Sequence, residues 1–266
     1  TGEVIANQNE AERWMKLNLS GTVEARFDLM SFAKYNPVAG LQISVHKAHN
    51  LPYAFLSFGI VSLFPPGALY RSPSQTTGVK FTTQFDWSSS LRSPIWTGGP
   101  SHVPQVPFDT KTLVVVEVRM MRVVQQPTTL EIVGWSVVPA FFGDTANSGI
   151  FRLPLYAGSP PPGLLKEMRE GDWQSVLAKA IAARAIKFVE SSSVEVSILD
   201  GQRFGEHDSP EFRPEIDISL LPGKKLKLYM KDVPSKPLSS LLKDGDTIAL
   251  VQDLAIRAFY EAIGLK

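Results

Sequence analysis

The sequence predicts a mainly β fold, an antiparallel β-sandwich with C-terminal helices and an additional small β-rich segment. Short runs of alternating or β-branched residues recur between residues 20 and 156. Connections rich in Pro, Gly and Ser separate these runs, and no helical periodicity intervenes before residue 156. Repeated short strands without helices between them are typical of antiparallel sandwiches.

The composition is that of a folded chain without a strong charge preference. Of the 266 residues, 44% are hydrophobic, and 27 basic residues stand against 26 acidic ones. This balance gives no general attraction to nucleic acid. The absence of Cys excludes disulfides, thiolate metal sites and cysteine catalysis, and it suits the cytoplasm. No apolar run approaches the roughly 20 residues of a membrane-spanning helix.

Within the predicted sandwich, the expected elements are a short helix at residues 9–17 and a series of strands. Residues 22–30 alternate between apolar and polar side chains, as a strand with one buried face does. Residues 112–121 begin with an unbroken apolar run, which indicates burial on both faces of the sheet. The other predicted strands are residues 41–48, 55–65, 80–87, 130–141 and 148–156.

The Pro-rich sequence GSPPPG at residues 158–163 indicates a boundary. We therefore predict a sandwich in residues 1–157, a linker and helix in 158–190, and a small β segment with a C-terminal helix in 191–266. Strand alternation resumes at residues 192–204, and a hairpin is predicted at 215–231. The last segment is short for a sandwich of about 100 residues. It therefore either belongs to a second domain or extends the first sheet.

Two stretches have helical periodicity. In residues 164–190, Gly171 is a point where the helix can divide, and Asp172 is a candidate N-cap. We expect the apolar face of this stretch to dock on its own domain. That face consists of Trp173, Val176, Leu177, Ala180 and Ile181.

The second helical stretch covers residues 246–264. Asp246 is its predicted N-cap, and Gly264 is its predicted end. Its predicted apolar stripe consists of Val251, Leu254, Ala255, Ala258 and Ala262.

Five motifs follow one another between residues 40 and 156. They are LQISVHKAHNLP at 41–52, IVSLFPPG at 60–67, SPIW at 93–96, TLVVVEVRMM at 112–121 and IVGWSVVPAFF at 132–142. In this order they resemble the strands and turns of the C2 domain family, over roughly half of the chain. The stretch from residue 134 to 156 also resembles C2-type domains of ciliary and centrosomal scaffold proteins. The resemblance implies a C2-like β-sandwich.

The resemblance also places two loops where calcium-binding members of the family keep carboxylates. Calcium takes about six to eight oxygen ligands, several of them from Asp or Glu. The first loop, residues 49–59, contains no acid, and the third, residues 120–132, contains only Glu131, which we place on the following strand. We therefore predict a calcium-independent variant without a cofactor, and we expect the loops at the tip of the sandwich to be empty of anionic side chains.

The resemblance implies a non-enzymatic scaffold that makes protein–protein contacts in a ciliary or cytoskeletal assembly. The alternative is a peripheral membrane module that binds anionic lipid. Candidate contact residues for a partner or a lipid surface are Lys224, Lys225, Lys227, Lys231, Phe55, Phe58 and Trp96.

Each candidate surface has a structural alternative. The lysines form a basic stripe if they lie on one strand, or else they are a solvated face or guard an edge strand. Phe55 and Phe58 are apolar anchors or core residues. Trp96 either docks a partner or folds back onto the sandwich.

Catalytic and metal-binding patterns are weak. Zinc needs several convergent ligands, and the four His residues are not spaced for this. His46 and His49 are three residues apart, so on a regular strand they point to opposite sides. Glu206, His207 and Asp208 are consecutive in a polar loop and do not converge. We therefore predict that the protein is not an enzyme. We also predict that it does not bind nucleic acid, because most aromatic residues occupy strand positions that indicate burial.

Overall fold

The computed structural model describes residues 34–53, 55–65, 79–98, 101–103, 106–122, 129–203 and 232–262. The predicted helix at 9–17, strand at 22–30 and hairpin at 215–231 lie outside these residues. The strands in the described part are β1 (Leu41–His49), β2 (Leu56–Phe64), β3 (Val79–Phe81), β4 (Ser101–Val103), β5 (Leu113–Arg122), β6 (Thr129–Pro139), β7 (Phe141–Phe142), β8 (Thr145–Ala146), β9 (Gly149–Ala157) and β10 (Phe188–Asp200). The helices are α1 (Pro162–Glu170), α2 (Trp173–Ala182) and α3 (Ile248–Ala262).

Eight strands form one antiparallel sheet in the order β3-β2-β5-β6-β9-β10-β1-β4. Six of them are long, and the edge strands β3 and β4 have three residues each. Strands β7 and β8 form a separate two-stranded sheet. The prediction of a mainly β, antiparallel fold with a few helices is therefore confirmed.

The segment of residues 82–98 connects β2 and β1, which are the first and the last of the six long strands in the order of the sheet. Phe85 pairs with Trp96, and Ile95 pairs with Lys47 of β1. The indole Nε1–H of Trp96 donates to the carbonyl oxygen of Ser57 on β2, at 3.0 Å. This segment thus bridges β1 and β2, and the sheet is nearly closed, like a barrel.

The apolar run of β5 is buried on both faces, as its sequence predicts. Val114 and Val116 pack in the cluster enclosed by the sheet. Leu113 and Val115 point to the other face, where they join a second cluster with Trp135 under helices α1 and α2. A strand with a helical layer on one side and the enclosed core on the other has no solvent-facing side, which explains the unbroken run of aliphatic residues.

The predicted division of the first helical stretch is confirmed. Helix α1 ends before Gly171, and the carboxylate of Asp172 accepts a hydrogen bond from the backbone N–H of Ser175 at 3.0 Å, as an N-cap does. Leu177 and Ala180 are buried against the second cluster, so the apolar face docks on its own domain. Within the described residues, no helix combines the length and the apolar character needed to cross a membrane.

The predicted boundary between residues 190 and 191 falls inside β10. This strand starts at Phe188 and lies between β9 and β1 in the sheet. Its core-facing residues Val194, Val196 and Ile198 are fully buried. Of the two alternatives for the last segment, extension of the first sheet therefore describes this strand. Local alternation reveals a strand, but the partner strands depend on topology.

Helix α3 differs from its prediction in two respects. It begins at Ile248, and the hydroxyl of Thr247, one residue after the predicted cap Asp246, accepts from the backbone N–H of Leu250 at 3.3 Å. Leu254, predicted in the apolar stripe, is 54% exposed, whereas Phe259 is fully buried. Val251, Ala255 and Ala258 of the predicted stripe do pack on the core, so the buried face keeps these residues and includes Phe259 in place of Leu254.

Candidate functional site

Charged side chains gather on the outer face of β9, β10 and β1, near the end of β1. Arg152 of β9 pairs with Glu195 of β10, and Glu195 pairs with Lys47 of β1. Directly opposite residues of antiparallel strands share a face. The opposite face carries Val194, which is buried in the core. The three charged residues therefore form a row that points away from the core.

A bulge in β1 decides which residues join this row. The register with β10 shifts between Val45 and Lys47, so that His46 is the extra residue. The ring of His46 lies 2.8 Å from the hydroxyl of Ser197, and the ring of His49 lies beside Glu195 on the same strand. The expectation that the two His residues point to opposite sides is wrong, because the extra residue changes the alternation.

His49 lies between two carboxylates. Its Nδ1 is 2.7 Å from Oδ1 of Asp232, and its Nε2 is 2.5 Å from Oε1 of Glu195. Its side chain is only 6% exposed. An ionised carboxylate only accepts hydrogen bonds, so both ring nitrogens donate when both acids are ionised, which is the imidazolium form. The second oxygen of Asp232 accepts from Nζ of Lys47 at 2.7 Å.

The electrostatics of the cluster favour the charged acid. Burial alone would raise the pKa of Asp232, but hydrogen bonds from Lys47 and His49, together with their charges, hold that pKa below its ordinary value. Burial lowers the pKa of Arg152, and the charges of Glu195 and Asp232 oppose that shift. The cluster is thus a half-buried network of basic groups around two carboxylates.

Asn50, next to His49, connects three separate segments. Its backbone N–H donates to the hydroxyl of Ser93 at 3.1 Å, and its carbonyl accepts from the hydroxyl of Ser192 at 2.7 Å. Its side-chain Oδ1 accepts from the backbone N–H of Val233 at 2.6 Å. Its φ of 53° lies in the left-handed region, which Asn tolerates better than most residues. His49 and Asn50 together fasten residues 232 and 233 to the sheet.

No local sequence pattern predicts this cluster. The loops at this end lack acids, as expected from the sequence, but Asp232 and Glu195 reach the end of β1 from distant parts of the chain. Both acids already bind basic side chains. Among the described residues, no group of three or more His, Cys, Asp or Glu is arranged to hold a metal ion.

The geometry around His49 does not suit general-base catalysis. Carboxylates contact both ring nitrogens, so neither faces a hydroxyl that it could deprotonate. The hydroxyl of Ser193 accepts from Nε of Arg152 at 2.9 Å instead. The arrangement fastens one segment of the chain to another.

The structure corrects part of the predicted contact surface. Phe58 is fully buried and packs against Phe85 and Phe259, and Trp96 is buried between β1 and β2. Both are core residues, which is the alternative to partner binding that the sequence left open, and neither offers a surface to a partner. Phe55 is half-buried and packs against the same core. Lys224, Lys225, Lys227 and Lys231, and the acidic cluster around His207, lie outside the described residues.

An exposed apolar surface lies at the opposite end of the sheet, where β1 begins. Three side chains form this apolar end: Phe142 is 79% exposed, Val38 76% and Phe108 43%. The backbone N–H of Tyr35 donates to the carbonyl of Asp144 at 3.2 Å, which joins the turn that carries Val38 to the β7–β8 hairpin that carries Phe142. In the sequence, this surface is indicated by the adjacent residues Phe141 and Phe142, of which the first is buried and the second is exposed.

Buried aromatic rings support the apolar end. The ring of Phe141 lies 4.7 Å from that of Tyr35 and 5.2 Å from that of Phe108, measured between centroids. The hydroxyl of Tyr35 donates to the carbonyl of Val106 at 2.8 Å. The exposed side chains therefore stand on a packed base rather than on isolated loops.

Comparison with known proteins adds no assignment: no family model and no curated protein matches this sequence.

Proposed function

We propose that this chain is a calcium-independent, C2-like interaction module without enzymatic activity, and that its apolar end contacts another protein. The main support for the proposal is the exposure of Phe142 and Val38 on two loops that a backbone hydrogen bond joins. A soluble domain rarely exposes neighbouring large apolar side chains without a use for them. Aromatic anchors at the centre of an interface contribute much of its binding energy.

The C2-like assignment is supported by the positions of the five motifs. Four of them lie on or overlap β1, β2, β5 and β6, which belong to the same antiparallel sheet. The fifth, residues 93–96, lies in the segment that bridges β1 and β2. The motifs therefore fall on one sheet or on the segment that bridges two of its strands.

Independence from calcium is supported by the pairing of the acids near the end of β1. Asp232 binds Lys47 and His49, and Glu195 binds His49. A calcium ion at this place would have to replace these basic partners and meet their positive charge. Such a site is electrostatically unsuited to a divalent cation.

The charges around the apolar end favour a protein over an anionic membrane. Exposed Lys34 and Lys111 flank it in sequence, but exposed Asp144 lies in the same hairpin as Phe142. Asp109 is present as well, paired with Arg169 at 2.9 Å. Each basic residue near an anionic bilayer contributes about 1 kcal/mol, and here acids offset them. We place the contact in the cytoplasm; its ciliary or cytoskeletal setting rests on the resemblance alone.

Proximity labelling in ciliated cells tests the protein-contact proposal. The double variant Val38→Ser/Phe142→Ser should lose most of the partners that the unmodified chain enriches, because affinity falls at least about tenfold when apolar anchors are lost. Tyr53→Ser is the matched control, since Tyr53 is half exposed but follows the end of β1. An unchanged partner set in the double variant would contradict the proposal.

Sedimentation with phosphatidylserine vesicles tests the alternative that the chain binds an anionic membrane. We expect no sedimentation of the purified chain with or without calcium. Salt-sensitive sedimentation without calcium would favour the lipid-binding alternative, and sedimentation that requires calcium would overturn the calcium-independent assignment.

A further inference from the structure

The described C-terminal segment is fastened to the rest of the fold at three separate places. We name residues 232–247 the strap; helix α3 follows it. The strap starts at the charged cluster, and its backbone then bonds with residues 87–91: Leu91 donates to Lys236, and Leu238 donates to Ser89. Helix α3 is held differently, through the ring of Phe259, whose centroid lies 4.4 Å from that of Phe81.

The beginning of the strap depends on polar contacts. Asp232 binds Lys47 and His49, and the N–H of Val233 donates to Asn50. Residues 232–236 are half-buried or exposed, so the described structure buries little apolar surface there. Polar contacts that are half-buried, with little apolar packing, are typical of segments that open locally before the rest of a fold.

We propose that His49 is a pH-sensitive latch that holds the beginning of the strap while its ring carries two protons and releases it when one is lost. His49 contacts the strap through Nδ1 and β10 through Nε2. After deprotonation one ring nitrogen presents a lone pair to a carboxylate, so a hydrogen bond is replaced by repulsion. Histidine is the side chain whose ordinary titration falls between about pH 5 and pH 8.

The groups around His49 set the direction of the effect. Lys47 comes from β1, Arg152 from β9, Glu195 from β10 and Asp232 from the strap. Loss of the ring proton removes one positive charge from between two acids. Glu195 then keeps Arg152 and Lys47 as cross-strand neighbours, and Asp232 keeps its contact with Lys47 and the charge of Arg152. The side chain of Asp232 is 31% exposed, however, against 15% for Glu195, so water weakens its contacts more. The strap side is therefore the weaker side.

Opening is expected to stop before helix α3. Phe259 is fully buried between Phe58 and Phe81, and its contacts involve no titrating group. The backbone bonds of Lys236 and Leu238 with residues 89–91 involve no titrating group either, so the strap detaches at residues 232–235 while these bonds and α3 stay in place. This inference is independent of the proposed protein contact, which lies at the opposite end of the sheet.

Hydrogen exchange of the full chain from about pH 5 to about pH 9 tests the latch. After correction for the intrinsic pH dependence of exchange, protection at the N–H of Val233 should fall at least about tenfold as the ring of His49 titrates in NMR spectra. Protection in the middle of α3 should stay constant. Constant protection of Val233 while His49 titrates would overturn the proposal, as would a His49 that keeps both protons throughout.

Variants separate the latch from a general pH effect. His49→Gln should remove the pH-dependent step and leave Val233 weakly protected at every pH. Asp232→Asn should lower protection in mild acid to the level that the unmodified chain has in mild alkali. His46→Gln is the control, because the ring of His46 contacts Ser197 of β10. A step that survives in His49→Gln, or disappears in His46→Gln, would exclude His49 as the latch.

Discussion

At the scale of single residues, Asn50 shows how one side chain connects distant segments. It combines a left-handed backbone with hydrogen bonds to Ser93, Ser192 and Val233. The backbone conformation is tolerable for Asn and costs most other residues about 1 kcal/mol. The side-chain oxygen satisfies a backbone N–H that would otherwise lack a protein acceptor. These two roles are separable by substitution.

We expect Asn50→Ala to lower the free energy of unfolding by about 2–3 kcal/mol, since it adds backbone strain and leaves the N–H of Val233 without its acceptor. Asn50→Gly should lose about 1 kcal/mol less, because glycine accepts the left-handed conformation. Urea denaturation measures both. Asn36→Ala, which removes an exposed bond to the N–H of Val38, is the control. Equal losses for the Ala and Gly variants would exclude the contribution of strain.

Asp232 makes stability depend on pH in acid. Its pKa in the folded chain is held below the ordinary value by Lys47 and His49, despite the opposing effect of burial. Its ionised form therefore stabilises the fold above the ordinary value near about 3.9, and this stabilisation is lost as the pH falls through the lower, folded value. We predict that the urea midpoint of the unmodified chain falls more steeply between about pH 5 and pH 2 than that of Asp232→Asn. Parallel curves would contradict this.

At the scale of elements, helices α2 and α3 show that two similar apolar residues can differ in how much of their surface is buried. Leu177 of α2 and Leu254 of α3 are the same residue type on amphipathic helices, but Leu177 is 3% exposed and Leu254 54%. Leu177 packs in the cluster that contains Trp135 and Tyr156. Helical periodicity identifies both leucines as apolar-face residues. Only the surface beneath each helix decides how much of that face is covered.

Leu177→Ala should reduce the free energy of unfolding by about 2–5 kcal/mol, because it leaves a cavity under α2. Leu254→Ala should change it by no more than about 0.5 kcal/mol. Thermal and urea unfolding of both variants, beside the unmodified chain, test the pair. A loss at Leu254 as large as that at Leu177 would show that Leu254 is covered in solution.

At the scale of the whole molecule, the nearly closed sheet depends on a close approach between β1 and β2. A Cβ atom at Gly59 would lie 2.7 Å from Cγ1 of Val45 and 3.3 Å from Cγ2 of Thr82. Val45 is β-branched and stiff, so it cannot easily move away. Gly59 therefore permits the two strands to pack against each other where the bridging segment joins them.

Gly59→Ala should destabilise the chain by about 1–3 kcal/mol through overpacking. Adding Val45→Ala should restore part of the loss at this contact, measured as the coupling in a double-mutant cycle. Gly163→Ala is the control: no atom lies within 4 Å of the added Cβ, and it sits in α1, where Ala stabilises by up to about 1 kcal/mol. Additive effects of the Gly59 and Val45 substitutions would contradict the steric explanation.

The predictable part of the fold consists of features with a local signal. The aliphatic run of β5, the N-cap Asp172 and the apolar face with Leu177 could be identified because periodicity and capping involve residues within a few positions. The candidate site had no such signal. His49 meets Glu195 across 146 positions and Asp232 across 183. A sequence pattern does not contain that pairing.

By itself, then, the sequence determined where most described strands and helices lie and which of their faces are apolar, since these follow from alternation, helical spacing and capping. The tertiary structure alone decided that β10 enters the sheet beside β1, that the bulge at His46 turns both His residues to one face, and that Asp232 reaches His49. The physical reason is range. Backbone geometry acts between neighbours, whereas strand order, register and charge pairing minimise the free energy of the whole folded chain.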